Sequence, residues 1–259
     1  ADKATSILAD GFAALVKEGI NVQMISKGAS KVNISMILKG EEKWNFGSRN
    51  WENKIKYPKA YEIIVEKYKK FNNAEIILVS EEIIKKLANT QTPQGVIGVC
   101  KYKDPKEVNG KVVMLDGVQD PGNIGTIIRT SIAFGYDTVI MSEDCVDIYN
   151  DKVIRATQGA IFKTNVLRCD LKDAIRKLKD DGYYVVGTSL RNAILLNDLD
   201  IRVNNIKDKH VLVLGSEGQG MSEDILGITD VNVFIPISKE MESLNVGVAS
   251  GIMMYYLNN

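Results

Sequence analysis

The chain has 259 residues, 45% hydrophobic and 25% charged, which is ordinary for a globular protein and long enough for two domains. It contains no run of eighteen apolar residues, so no membrane span is expected. One histidine (His210) and three cysteines without metal-ligand spacing (Cys100, Cys145, Cys169) leave little basis for a zinc site or a Ser-His-Asp hydrolase.

The cysteines read as free thiols of a reducing cytosol. The first residues lack the basic and apolar regions of a secretory signal, so the expected location is cytoplasmic. His210 stands just before a buried run and reads as a strand-edge histidine. Formal net charge is zero, which alone argues against nucleic acid. Its distribution argues the other way: residues 1–110 carry 18 basic and 13 acidic side chains, residues 111–259 carry 15 and 20. The basic excess concentrates in 43–70, where Lys43, Arg49, Lys54, Lys56, Lys59, Lys67, Lys69 and Lys70 stand among Trp44, Phe46, Trp51, Tyr57, Tyr61 and Tyr68. Basic groups neutralise phosphates and aromatic faces stack on unpaired bases. A solvated helix face over an aromatic core would look the same.

In chain order, residues 4–18 show helical spacing (Ile7, Leu8, Phe12, Leu15, Val16) stopped by Gly19. Residues 20–26 and 32–38 alternate like two strands. Residues 43–58 lack a clear period and read as a linker or the start of the next domain, with a boundary at Tyr57-Pro58. A helix over 59–71, a strand over 75–80, a helix over 81–88 and a strand over 95–102 follow. From residue 112 strands and helices alternate: strands at 112–115, 138–141, 183–187, 211–214 and 231–235, helices at about 123–134, 151–159, 171–180, 222–227 and 244–257. Such alternation predicts an α/β fold with a parallel sheet covered on both faces.

The buried run at 211–214 ends abruptly in Gly215-Ser216-Glu217-Gly218-Gln219-Gly220-Met221-Ser222, a loop whose glycines let backbone amides approach a ligand. A second apolar run ends in Ile235-Pro236-Ile237, and Ser243-Leu244-Asn245-Val246 then opens a helix. Two strand-end loops about twenty residues apart point to one ligand site built from both. Upstream, Asp120-Pro121-Gly122-Asn123-Ile124-Gly125-Thr126-Ile127-Ile128-Arg129 forms an N-x-G-x-x-x-R pattern. No GxxxxGK[ST] loop and no strand-borne G-x-G-x-x-G with a distant acid occurs, so ATP and nicotinamide sites are not expected.

These three blocks, in this order, resemble the three motifs of the SpoU family of RNA ribose 2′-O-methyltransferases (TrmH-like, SPOUT superfamily) over roughly residues 111–259. The resemblance implies a parallel-sheet catalytic domain whose C-terminal segment threads into a trefoil knot. It implies S-adenosylmethionine as cofactor, no metal, a homodimer and an RNA substrate, ribosomal RNA ahead of transfer RNA. It makes Asn123, Arg129, Glu217, Ser243 and Asn245 catalytic-end residues. Gly215, Gly218, Gly220, Ile235, Ile237 and Leu244 become cofactor-binding, and Thr188, at the end of the strand over 183–187, joins them by position. Each also has an ordinary structural role: Asn123 and Ser243 as helix caps, Arg129 in a surface ion pair, Glu217 offsetting a helix dipole. A guanidinium is a poor base because its pKa exceeds about 12, so Arg129 suits a bidentate phosphate contact better than deprotonation of the ribose.

The segment from Gly19 to Ser35 resembles part of an aspartokinase-type ACT domain, over about residues 4–42. Residues 77–82 with 92–96 resemble the end of the small α/β domain that precedes many SpoU catalytic domains, and Ser48-Arg49-Asn50 with Lys54-Ile55-Lys56-Tyr57 resembles its beginning. The expected organisation is therefore a partial ACT-like segment at 1–42, a shortened small α/β RNA-binding domain at 43–105 and a catalytic domain at 106–259. A second functional reading is a non-catalytic RNA- or cofactor-binding module with an ACT-like assembly segment. Retention of all five polar motif residues argues against it.

Overall fold

The computed structural model describes residues 104–201, 206 and 209–258, with residue 102 and the segments 23–26, 35–45, 50–55, 75–79, 81–88 and 96–100. The chain divides into two compact units, 1–104 and 105–259. The helices expected at 4–18 and 59–71 lie outside the described residues.

In the first unit, strands β1 (Gln23–Ser26), β2 (Ser35–Asn45), β3 (Asn50–Ile55), β4 (Glu75–Val79) and β5 (Val96–Cys100) form one sheet in the order β1-β5-β2-β3, with β4 also on β2. Helix α1 (Glu81–Leu87) buries Ile84. The linker expected from residue 43 is overturned here: Gly40–Asn45 and Asn50–Ile55 pair antiparallel, Trp44 opposite Trp51, Lys43 opposite Glu52 and Glu41 opposite Lys54. The two strands were invisible to a hydrophobic-period reading because what alternates is charge and aromaticity, not apolar with polar.

In the second unit, seven strands form an all-parallel sheet: β6 (Lys111–Asp116), β7 (Tyr136–Met141), β8 (Asn165–Arg168), β9 (Tyr184–Thr188), β10 (Ile194–Leu195), β11 (His210–Gly215) and β12 (Val231–Phe234), in the order β10-β12-β9-β11-β6-β7-β8. β8 and β10 were missed because four and two residues are too few to show a period. Helices α2 (Pro121–Ala133), α3 (Asp151–Thr157), α4 (Leu171–Asp180), α5 (Glu223–Leu226) and α6 (Val246–Asn258) connect and cover the strands. The central strands are apolar throughout, as a sheet covered on both faces requires: all six residues of β11 are buried. Val112, Met114, Val211 and Val213 pack with Ile175, Leu178 and Ile225 in one core. Gly125 lets α2 lie on α3, since a Cβ there would stand 2.3 Å from the Ala156 Cβ.

His210 opens β11 fully buried. Its Nδ1 donates to the Ile206 carbonyl, and its Nε2 accepts from the Tyr136 hydroxyl at 2.5 Å. Burial lowers its pKa to about 4. It lies at the N-terminal strand ends, a strand length from the C-terminal loops, so its role is structural, as its position before the buried run predicts.

Candidate active site

Helix α2 starts at Pro121, where a missing N–H costs nothing, and its cap is Asp120, whose side chain accepts from the Asn123 backbone N–H at 2.7 Å. The capping role considered for Asn123 is thus taken by Asp120. This leaves the Asn123 side chain free to face outward from the first turn.

That side chain joins the other two blocks. Its Nδ2 donates to Glu217 Oε1, and its Oδ1 accepts from Asn245 Nδ2 at 2.9 Å. Asn245 Oδ1 in turn accepts from the backbone N–H groups of Gly247 at 2.9 Å and Val248 at 3.2 Å. The cap of α6 is therefore Asn245, not Ser243. The polarity of this chain is forced from both ends. Glu217 as a carboxylate only accepts and the helix N–H groups only donate, so both amides have one allowed orientation. Glu217 does not sit at the start of α5 either; there Asp116 Oδ2 accepts from Ser222 N–H at 2.7 Å.

The glycine loop after β11 folds back on itself. Ser216 and Gly220 exchange backbone hydrogen bonds of 3.1 and 2.9 Å. A Cβ at Gly215 would lie 2.1 Å from the Gly220 carbonyl carbon, and Gly220 holds φ +69°, so both positions require glycine. Beside this loop lies a cavity of about 350 Å³. Its walls include Thr188, Gly215, Glu217, Gly218, Gly220, Ile235, Ile237, Ser243 and Leu244, so nine of the expected site residues meet there. Thr188 is committed within the fold: its hydroxyl donates to the Val213 carbonyl at 3.0 Å and its N–H to Met221 Sδ at 3.1 Å.

Sequence reasoning missed Ser189, Leu190 and Arg191, which follow β9 and also line the cavity. The signal available was the strand end itself, because loops at the carboxyl ends of parallel strands build such sites. Arg191 forms an ion pair with Glu223 across the glycine loop. Of the expected residues, Asn123, Asn245 and Arg129 lie outside the lining; the first two are tied to it through Glu217, and Arg129 is not. It is exposed in the second half of α2, outside the cavity lining, and makes no hydrogen bond or ion pair among the described residues. Neighbouring α6 leaves Val248, Ile252 and Tyr255 exposed at 53%, 39% and 62%, at helical spacing, with Tyr255 edge-on to Phe134, the residue that follows α2.

The SpoU rRNA methylase family model matches residues 110–255. The chain belongs to this family. An ACT domain model matches residues 3–44. Among curated SpoU relatives, the 23S rRNA (guanosine(2553)-2′-O)-methyltransferase RlmP of Bacillus subtilis is 36% identical over 70% of this chain and 71% of its own length. An uncharacterised tRNA/rRNA methyltransferase of Synechocystis is 33% identical over 69% of this chain and 65% of its own length. The AdoMet-bound rRNA methyltransferase of Sinorhizobium meliloti shares the fold, with TM-score 0.70 at 23% identity over 99% of this chain and 96% of that one.

Proposed function

We propose that this SpoU-family chain transfers a methyl group from S-adenosylmethionine to a ribose 2′-hydroxyl of RNA, ribosomal RNA ahead of transfer RNA. The observation that carries this reading is the Glu217–Asn123–Asn245 chain, which ties all three motif blocks together at the rim of one cavity. The relative whose name states a 23S ribose target supports the ribosomal preference. No helix among the described residues is long and apolar enough to cross a membrane, and no cluster of metal-binding side chains occurs among them.

The cavity suits the cofactor chemically. Ile235, Ile237 and Leu244 offer an apolar wall for the adenine, and Gly215, Gly218 and Gly220 line the cavity without side chains to fill it. Glu217 and Glu242 on the same lining favour a cation. S-adenosylmethionine supplies an electrophilic methyl when bound. The chain's own residues position the nucleophile: Asn123 and Asn245 hydrogen-bond at the rim, Ser243 adds a hydroxyl to the lining, and Glu217 holds Asn123 in its one allowed orientation.

Arg129 holds the target phosphate by a two-pronged contact and acts in a homodimer. Two observations support this: Arg129 lies outside its own cavity, and the Val248, Ile252, Tyr255 stripe offers an apolar face on the neighbouring helix. Met253 and Tyr256 of the same helix belong to the fold instead. Met253 is 2% exposed and the Tyr256 hydroxyl donates to the Leu199 carbonyl at 3.1 Å. Incubation with methyl-labelled S-adenosylmethionine and unmodified ribosomal RNA should yield a labelled 2′-O-methylnucleoside. Label confined to a base, or none in any RNA, sinks the reading.

A further inference from the structure

The sheet reverses its winding between β6 and β11. The chain leaves β6 toward β7 on one side and leaves β11 toward β12 on the other. The loops after these two strands diverge and open a crevice at the carboxyl ends, the place where ligands of open α/β sheets bind. A second cavity of about 640 Å³ lies there, within the roughly 300–1,000 Å³ of small-ligand sites. It shares Arg191 and the loop from Ser216 to Met221 with the first cavity, so the two are separated by one glycine-rich wall that carries Glu217. Its charged lining is Asp116, Asp144, Glu217 and Glu223 against Arg191 alone. A phosphate would be repelled; a neutral group rich in hydrogen-bond donors is favoured.

Three of these carboxylates are already engaged: Asp116 with the Ser222 N–H, Glu217 with Asn123, Glu223 with Arg191. Asp144 makes no hydrogen bond or ion pair among the described residues. Its backbone is nonetheless held firmly. Cys145 N–H donates to Ser142 O at 3.2 Å, and the buried Cys145 thiol donates to Leu115 O at 3.3 Å. The Arg168 guanidinium donates to the carbonyls on both sides of Asp144, those of Glu143 and Cys145. A fixed turn thus presents an uncommitted carboxylate to the crevice beside the motif residues.

We infer that this crevice seats the base of the methylated nucleotide and that Asp144 selects guanine. The inference rests on the ribose-methylation reading above. A carboxylate accepts through two adjacent oxygens and donates nothing. On its Watson–Crick edge guanine alone offers two neighbouring donors, N1–H and N2–H₂. In adenine, cytosine and uracil each donor sits beside an acceptor, which would face a carboxylate oxygen and repel it.

The full chain is incubated with methyl-labelled S-adenosylmethionine and unmodified transcripts of small- and large-subunit ribosomal RNA and transfer RNA, and the RNA is digested to nucleosides. The expected product is 2′-O-methylguanosine. Asp144→Asn replaces an acceptor by a donor at nearly equal volume and should lower the rate roughly ten- to hundredfold, the worth of a bidentate base contact. S-adenosylhomocysteine affinity and thermal midpoint should stay at wild-type values, and Asp144→Ala should behave alike. Ribose label on another base, or guanosine methylation at full rate by Asp144→Asn, overturns the base assignment while ribose methylation stands. Absence of labelled nucleoside from every RNA refutes the underlying activity, and this inference with it.

Discussion

The Asn245 side-chain amide donates to Asn123 Oδ1 at 2.9 Å across 122 residues of chain. This bond joins the first turn of α2 to the cap of α6. It gives Asn245 two separable duties: closing a helix and orienting Asn123 toward Glu217.

Substitution can split those duties. Asn245→Ala should cost about 1 kcal/mol of stability through the lost cap and should suppress methyl transfer. Asn245→Ser keeps a capping oxygen but is too short to carry the amide bridge, so stability should return to near wild type while activity stays low. Urea unfolding and methyl-transfer assays on the two variants check this. Parallel recovery of both properties by serine would show that only the cap matters.

Leu244→Asp places a carboxylate in the apolar wall of the first cavity. S-adenosylhomocysteine affinity should fall at least tenfold, about 1.4 kcal/mol. Calorimetry on the full chain measures it, and a variant binding as well as wild type would move the cofactor elsewhere.

Arg129→Ala should suppress turnover with cofactor affinity kept, and Arg129→Lys should not rescue it, because a point charge cannot replace a planar fork. If Arg129 serves the partner's cavity, mixing Arg129→Ala with Glu217→Gln subunits should restore up to about a quarter of wild-type activity, since half of random dimers then hold one intact composite site. Ile252→Glu should shift sedimentation from dimer to monomer. No complementation between dimeric variants would place Arg129 in its own subunit's chemistry.

The His210–Tyr136 pair makes the fold acid-sensitive. In the unfolded chain His210 protonates near its ordinary 6.5, whereas in the folded chain it resists until about 4. The unfolded state therefore binds the extra proton first, and stability present above pH 6.5 is lost as pH falls toward 4. The largest loss from this group is on the order of 3 kcal/mol. Unfolding curves at pH 7.5 and 4.5 should show it, and His210→Gln should flatten the dependence. An unchanged slope in that variant would assign acid sensitivity to carboxylates instead.

RNA affinity should come from the first unit, because residues 111–259 carry 15 basic against 20 acidic side chains. Deleting 1–105 should spare S-adenosylhomocysteine binding and remove most RNA binding. Deleting only 1–42 removes β1 and most of β2, the strand that pairs with β3, β4 and β5, so it should disrupt the first unit and lower RNA binding and methylation as well. Wild-type affinity should fall with salt by a log–log slope of roughly 0.7 per phosphate neutralised on single strands. Full RNA binding by residues 106–259 alone would overturn this division.

What the sequence by itself determined was local or carried by motif. The strands of the sheet centre were legible because residues buried on both faces leave unbroken apolar runs, as at Val211, Leu212, Val213 and Leu214. The motif residues were legible because glycine loops and polar tetrads at strand ends have few other uses. The tertiary structure alone decided which capping oxygens are used. Asp120 displaces Asn123 and Asn245 displaces Ser243 through backbone angles at the helix starts, a choice that composition cannot rank. Threading of the kind implied by the family knot is equally a property of the chain's path and leaves no period. The Trp44–Trp51 register needed the pairing of two strands. The seating of Arg129 outside the cavity needed the helix phase, and the Asp144 crevice needed the reversal of winding between β6 and β11. Each of these is a relation between segments distant in sequence, and local propensity carries no information about which distant surface a segment will meet.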